Sequence, residues 1–343
     1  METTQPSQPA TSASAAPGRT TMQAIVQHRY GTTPKDVLRL EQVATPTIAA
    51  NEVLVHVRAA AVDRGTWHLM AGQPYLMRLL GFGLRGPKTR VPGLDVAGTV
   101  AETGADVTGL QAGEEVFGIA RGSFAEYAAA RADKLARKPA RLSFEQAAAV
   151  AVSGLAALQG LRAGRIQAGQ QVLVIGASGG VGSYAVQLAK AFGAEVTGVC
   201  STGKTDLVRS IGADHVVDYT QDDFADGRQR YDLILDIGGN SSLSRLRRAL
   251  APTGTLVIVG SERARWTGVG RQLGALMLSP FTRQRLTMYI SRHRQADLET
   301  LSQLIGTGQV TPLIGRTYPL AGVPEAIRHL QDGHARGKTA ITI

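Results

Sequence analysis

Val172-Leu-Val-Ile-Gly-Ala-Ser-Gly-Gly-Val-Gly-Ser183 is the stretch whose reading decides the fold. Four apolar residues, Val172 to Ile175, predict a buried parallel strand, and a glycine-rich turn follows at once. Tyr184-Ala-Val-Gln-Leu-Ala-Lys-Ala-Phe192 then places apolar residues at helical spacing. Strand, glycine turn and helix in this order open a dinucleotide-binding fold. The fingerprint reads Ala177-x-Gly179-x-x-Gly182, with alanine in the first glycine position. A small residue there makes the tight turn. Gly179 admits a pyrophosphate close to the backbone, and Gly182 lets helix and strand pack. Ser178, Gly180 and Val181 complete the turn, and the helix N-terminus offers N–H groups and partial positive charge to phosphates. A tight strand–helix turn without a ligand is the competing reading, and only the rest of the chain separates the two.

Downstream, Glu195-Val-Thr-Gly-Val199 supplies a second strand, ending in Cys200-Ser-Thr-Gly-Lys204. An acidic residue at this strand end would hold a ribose 2′-hydroxyl, and none occurs before Asp206. Ser201, Thr202 and Lys204 are instead suited to donate to a 2′-phosphate, so the pattern predicts NADPH. Helix 206–211, strand 215–217, strand 231–235, helix 243–250 and strand 254–259 continue the alternation, which predicts a doubly wound parallel sheet.

Upstream the pattern changes. Met22–Val26, Glu52–Val57, Val96–Ala101, Gly113–Gly118 and Gly122–Ala128 read as short strands between glycine turns, predicting a compact β-rich domain. Residues 142–161 read as mostly helical. After Tyr289 come a helix (296–305), a strand near 317–320, a helix (324–330) and a final strand, 339–343.

With 343 residues, 43% hydrophobic content and 40 glycines, the chain fits a two-domain α/β protein. Its single cysteine, Cys200, excludes an intrachain disulfide framework and suits a reducing cytoplasm. No apolar run approaches the roughly 20 residues of a membrane span, so no membrane partner is expected. Residues 1–21 are rich in Ser, Thr, Ala, Pro and Gln and read as a disordered extension. The net charge is +10, and residues 245–294 hold ten arginines, no lysine and one acid, Glu262. Without interleaved aromatics this reads as a solvated basic face rather than a nucleic-acid platform.

The layout from Met22 to Ile343 resembles the medium-chain dehydrogenase/reductase superfamily, and within it the zinc-independent quinone oxidoreductase branch. The segments that carry the resemblance are Pro92-Gly-Leu-Asp-Val-Ala-Gly-Thr-Val100, Ala112-Gly-Glu-Glu-Val-Phe-Gly118, Gly122-Ser-Phe-Ala-Glu-Tyr127, Gly176-Ala-Ser-Gly-Gly-Val-Gly182, Gly212-Ala-Asp-His-Val-Val-Asp-Tyr219 and Gly337-Lys338. It implies a GroES-like β-rich domain over 22–140, a Rossmann cofactor domain over 141–288, and a return over 289–343 that completes the first. It extends the cofactor site to Tyr219, Gly260 and Lys338, and implies a homodimer paired near Arg285–Ile290.

Zinc members of that superfamily use cysteines and a His-Glu pair. Here the corresponding positions read Asp63 and Leu94-Asp95, so no catalytic zinc is expected. Without a metal, the resemblance implies an already activated substrate: a quinone, enone or enal that accepts hydride from NADPH. Zinc-free relatives often carry Asn-Pro where this chain has Asp63-Arg64. Asp63 is therefore a candidate positioning residue, with a helix cap as its alternative role. Tyr75 is a candidate proton donor to an enolate, with packing as its alternative. An alcohol dehydrogenase and a noncatalytic NADPH-binding protein are the other functions this sequence leaves open.

Overall fold

The computed structural model describes residues 20–76, 78–260, 270–289, 291–333 and 335–343. Nearly all of the expected N-terminal extension lies outside them, as do Glu262 and Ile290.

Strand Gln171–Ile175 sits inside a six-stranded sheet. In spatial order the strands are His215–Asp218, Glu195–Cys200, Gln171–Ile175, Tyr231–Asp236, Leu250–Ile258 and Arg285–Met288. Every neighbouring pair is parallel. The chain winds to one side of Gln171–Ile175, then returns and winds to the other. The resulting crevice lies beyond the carboxyl ends Ile175, Asp236 and Ile258, where such sheets bind ligands. Alternate residues explain the unbroken apolar runs. Val172 and Val174 pack with helices Ala151–Ala163 and Gly180–Ala191, whereas Leu173 packs with Leu246 of helix Leu243–Ala249 on the opposite face.

The β-rich part is a sheet in the order Ile314–Pro319, Lys338–Thr342, Glu52–Val62, Asp95–Thr103, Glu115–Ile119, Leu135–Arg137, with Tyr127–Arg131 also pairing Glu52–Val62. Strands from the end of the chain thus complete a sheet begun near its start. Thr339–Thr342 runs antiparallel to Ala59–Val62. The strand expected over 122–128 begins only at Tyr127. Gly122 adopts φ +75°, and the amides of Gly122 and Phe124 donate to Gly93 and Pro92, so a turn replaces its first half. The helix expected over 142–161 is broken into Phe144–Ala148, with a Ser143/Gln146 capping box, and Ala151–Ala163.

That break positions a buried contact between the two sheets. The Val152 amide, at the start of the second helix, donates to Asp95 Oδ1 at 2.7 Å. Lys338 Nζ donates to Asp95 Oδ2, also at 2.7 Å. Asp95 is fully buried and Lys338 nearly so. Burial holds the Asp95 carboxyl up to about 6, against the opposing pull of Lys338.

Removing one partner of such a pair leaves a buried charge and costs about 3–5 kcal/mol, whereas replacing both with apolar groups is often near neutral. Lys338→Met is therefore expected to lower the unfolding midpoint sharply, and Asp95→Leu/Lys338→Met to recover most of the loss. A double variant no better than the single would show that the charges themselves are required. Because folding raises the Asp95 pKa, the stability it contributes is whole below 3.8 and is lost as pH rises through about 6. Relative to Asp95→Asn, wild-type unfolding free energy should fall across that interval and then level.

Candidate active site

A cleft of about 860 Å³ runs along the carboxyl ends of the parallel strands and under the β-rich part. Its floor is the fingerprint turn, and the four central residues expected there, Ser178, Gly179, Gly180 and Val181, all line it. Ala177 and Gly182 do not; they work one layer below. Ala177 is fully buried, and a Cβ on Gly182 would collide with the Gly176 carbonyl oxygen. Helix and strand therefore approach to a distance only glycine permits. Gly179 is the helix N-cap, so the first-turn amides, which lack intrahelical acceptors, face the cleft beside the helix's positive end.

One end of the cleft is polar and cationic. Ser201, Lys204 and Tyr219 line it, and Tyr219 is 58% exposed. Thr202 turns away: its hydroxyl meets that of Thr220 at 2.9 Å. Asp218, the nearest strand-end carboxylate, accepts from the Thr220 amide and hydroxyl. Lys204 Nζ donates to the carbonyls of Gly333 (2.8 Å) and Ala335 (3.0 Å). In return, Arg336 Nη2 donates to the Gly203 carbonyl at 2.6 Å. Burial, and then the neighbouring Arg336 charge, pull the Lys204 pKa down. Arg336 was absent from the sequence reading of this site. Its signal was its place two residues before Lys338, inside the segment that returns to the turn. Gly337 adopts φ +73°, bridges Gly179, and donates its amide to the Ser178 carbonyl at 2.8 Å. A second residue that sequence reasoning missed is Arg245, held by Asp223 and stacked 4.4 Å over the Phe224 ring; both Arg245 and Phe224 line the cleft.

The other end is formed by Asp63, Arg64, Gly65 and His68, at the start of helix Arg64–Ala71, with Ser153, Tyr289 and Lys338. Asp63 caps that helix: its Oδ1 accepts from the Thr66 amide at 2.9 Å. The capping role and the cleft position therefore coexist. Asp63 is 7% exposed, and its Oδ2 has no hydrogen-bond partner among the described residues. A buried carboxylate oxygen of this kind calls for a donor from water or a ligand. Gly260 lines the cleft from the end of Leu250–Ile258, and Lys338 lies beneath it, bound to Asp95. Tyr75 is not among the lining residues; its ring lies 4.8 Å from the Arg78 guanidinium, which also covers Tyr30. Cys200 lines the cleft, and burial pushes its thiol up, away from the reactive thiolate form.

A catalytic zinc does not fit these residues. Asp63 is engaged as a cap, His68 Nδ1 meets the Gln73 carbonyl at 3.1 Å, and both Asp95 oxygens are occupied. Among the described residues no three His, Cys, Asp or Glu side chains converge as a metal site. A dinucleotide does fit: a glycine floor, a helix N-terminus, and basic and hydroxyl groups at one end.

Comparison with known proteins agrees with this geometry. Residues 49–140 match the family described as alcohol dehydrogenase GroES-like domain, and residues 211–341 that described as zinc-binding dehydrogenase. The chain is 31% identical to the mitochondrial NAD(P)H oxidoreductase RTN4IP1 of Mus musculus, over 94% of this chain and 90% of that protein. It is 32% identical to 2-methylene-furan-3-one reductase of Solanum lycopersicum, over 89% and 76% respectively. It superposes on Escherichia coli quinone oxidoreductase complexed with NADPH with a TM-score of 0.81 at 26% identity, covering 94% of this chain and all of that one. The chain is therefore an oxidoreductase of the medium-chain dehydrogenase/reductase superfamily, from its quinone oxidoreductase branch.

Proposed function

We propose that this protein reduces a conjugated carbonyl (a quinone, enone or enal) with NADPH and without a metal. The observation that carries the reading is the polarity of the cleft. Among the described residues, a cationic, hydroxyl-bearing end with no carboxylate lining it faces, across a glycine floor, an end whose one unpartnered buried oxygen is Asp63 Oδ2.

Bound there, NADPH supplies the hydride. The chain's own residues bind and orient. Ser201, Tyr219, Lys204 and Arg336 surround the place for a 2′-phosphate, and the stacked Arg245 and Phe224 give a flat wall for adenine. Ser178 to Val181 and the helix N-terminus take the pyrophosphate. Asp63 Oδ2 accepts from a ribose or substrate hydroxyl, and Lys338, fixed by Asp95, supports the floor from below. Tyr75 shapes the outer segment rather than delivering a proton, and solvent protonates the enolate. Reaction by positioning needs no indispensable side chain. The single buried cysteine fits a reducing compartment such as the cytoplasm. The free edge of Arg285–Met288 fits pairing with a second copy.

A charge-assisted phosphate contact is worth about 1.5–3 kcal/mol, or roughly ten- to hundredfold in affinity. Lys204→Ala and Arg336→Ala should each weaken NADPH by that factor in a fluorescence titration while leaving NADH little changed. Equal losses for both cofactors would mean that the two cations only hold the neighbouring loops together. With 4-deuterated NADPH and an enone, deuterium should appear at the product β-carbon, the α-hydrogen should come from solvent, and exhaustive chelation should leave the rate unchanged. Tyr75→Phe should cost no more than the low end of the about 10²–10⁴-fold that general acid help provides. Label at a carbonyl carbon would indicate alcohol dehydrogenase chemistry, and binding without turnover a noncatalytic role. Light scattering at micromolar concentration should give the dimer mass, and a monomer would refute edge pairing.

A further inference from the structure

Two walls of the cleft are fastened to one buried carboxylate. Asp236 ends strand Tyr231–Asp236, beside the strand that leads into the phosphate turn, and is fully buried. Its backbone carbonyl accepts the amides of Val259 at 3.0 Å and Gly260 at 3.1 Å. Its Oδ1 accepts the Gly239 amide at 3.2 Å, and Gly239 adopts φ +68°. Its Oδ2 accepts from Nη2 of Arg271, the second residue of helix Gly270–Leu278. Nη1 of the same guanidinium donates to the Gly239 carbonyl, so Asp236 and Arg271 close the turn that follows the strand from both sides. Ile237, Gly238 and Asn240 of that turn line the cleft, as do Val259 and Gly260, whereas Asp236 and Arg271 lie behind it.

These segments fit tightly. The amides of Ile237 and Gly238 both donate to the Ile175 carbonyl, and a Cβ on Gly260 would stand 2.2 Å from the Ile237 carbonyl oxygen. A shift of the turn after Asp236 would therefore move the neighbouring strand end as well. Arg271 is held there at a cost, because its Nε is buried and has no hydrogen-bond partner among the described residues. Packing alone does not select such an arrangement, and departures from full polar satisfaction concentrate at functional sites. For stability, a well-packed apolar pair would serve as well. A guanidinium fork does what an apolar pair cannot: it fixes the direction of the groups it binds.

We infer, on the cofactor reading proposed above, that Arg271 is a positioning residue for hydride transfer, acting through Asp236 on the wall beside the nicotinamide half of the cofactor. The strand order supplies the placement. Ser201 and Lys204, proposed for the 2′-phosphate, follow strand Glu195–Cys200 on one side of Gln171–Ile175 and its phosphate turn. Asp236 and Ile258 end the strands on the other side. A dinucleotide held by its 2′-phosphate and pyrophosphate as proposed leaves its other half over those two strand ends. Misplacement there by about 1 Å is enough to cost about 10²-fold in rate, while the phosphate contacts, and most of the affinity with them, persist.

Arg271→Met strands the Asp236 carboxylate, so the neutral pair Asp236→Asn/Arg271→Gln is measured beside it, with Arg271→Lys as the conservative change. Three quantities are read on the full chain: NADPH affinity by fluorescence titration, the emission lifetime of bound NADPH, and saturated turnover of a soluble enone per NADPH-binding site, which discounts unfolded protein. Arg271→Met and the neutral pair should each keep NADPH affinity within about threefold of wild type, shorten the lifetime as the nicotinamide loosens, and lower turnover per site about 10- to 100-fold. Arg271→Lys, which keeps the charge but not the fork, should fall between them and wild type. The inference fails if the neutral pair turns over within about threefold of wild type, or leaves the lifetime unchanged, whatever its unfolding temperature, because the ion pair then serves stability alone. It also fails if affinity falls in step with turnover or if neither variant binds NADPH, since the pair would then hold the whole cleft rather than one half of the cofactor. A wild type that binds no NADPH would overturn the cofactor reading itself. One that binds and turns over while the variants match it would overturn only the role of Arg271.

Discussion

The buried contact of Asp95 with Lys338 and the Val152 amide is the constraint on which the rest of the molecule depends. It joins three parts of the chain at one point: a strand of the β-rich sheet, the first turn of a helix that covers the parallel sheet, and the strand that returns from the C-terminal part. A Cβ on Gly180 would crowd the Lys338 side chain, so the pair also fixes how closely the return strand lies under the phosphate turn. Ion pairs in such surroundings are poor sources of stability, because desolvation cancels most of the attraction. What the pair provides is location. A charge that can be satisfied at only one point sets the relation of the two sheets more sharply than apolar packing, which tolerates small slides.

That fixed relation lets the cleft work as one site. The residues that suit a 2′-phosphate come from both sides of it, Lys204 from the parallel sheet and Arg336 from the return, and each donates to the backbone of the other's segment. The cap at Asp63 does similar work at the far end. One carboxylate oxygen fixes the helix start, and the other has no partner among the described residues. Positioning groups held in this way by backbone contacts need little reorganisation when a ligand arrives, which is the main contribution a protein can make when the reactive groups belong to cofactor and substrate.

Much of this was legible in the sequence because it rests on local rules. The parallel strands declare themselves as apolar runs, since both faces of each are covered, and the fingerprint turn declares itself by its small residues. The residues of that turn that line the cleft needed no knowledge of distant contacts. What sequence could not give was whatever depends on side-chain direction or long-range return. Thr202 looks equivalent to Ser201 in the sequence, yet its hydroxyl turns toward Thr220 and Asp218. Tyr75 looks like a cleft residue until Arg78 is seen stacked against it. Arg336 comes beside Lys204 only because the chain folds back over the parallel sheet, and Arg245 reaches the cleft from the far side of that sheet. The turn at Gly122–Phe124 is set by bonds to Pro92 and Gly93, which no strand pattern reveals.

The return strand has a further consequence for how the protein is made. Asp95 meets Lys338 across 243 residues of chain, and the edge of Ala59–Val62 that pairs Thr339–Thr342 has no strand to cover it until that segment has been synthesised. At the about 5–20 residues per second of translation, the interval is roughly 12–50 s. During that time the nascent β-rich part carries an unpaired strand edge and a buried-to-be carboxylate without its cation. An unpaired edge is the feature that invites wrong pairing with other chains. The buried joint beneath the cleft and the vulnerable stage of biogenesis therefore have the same origin: a sheet that borrows an inner strand from late in the sequence.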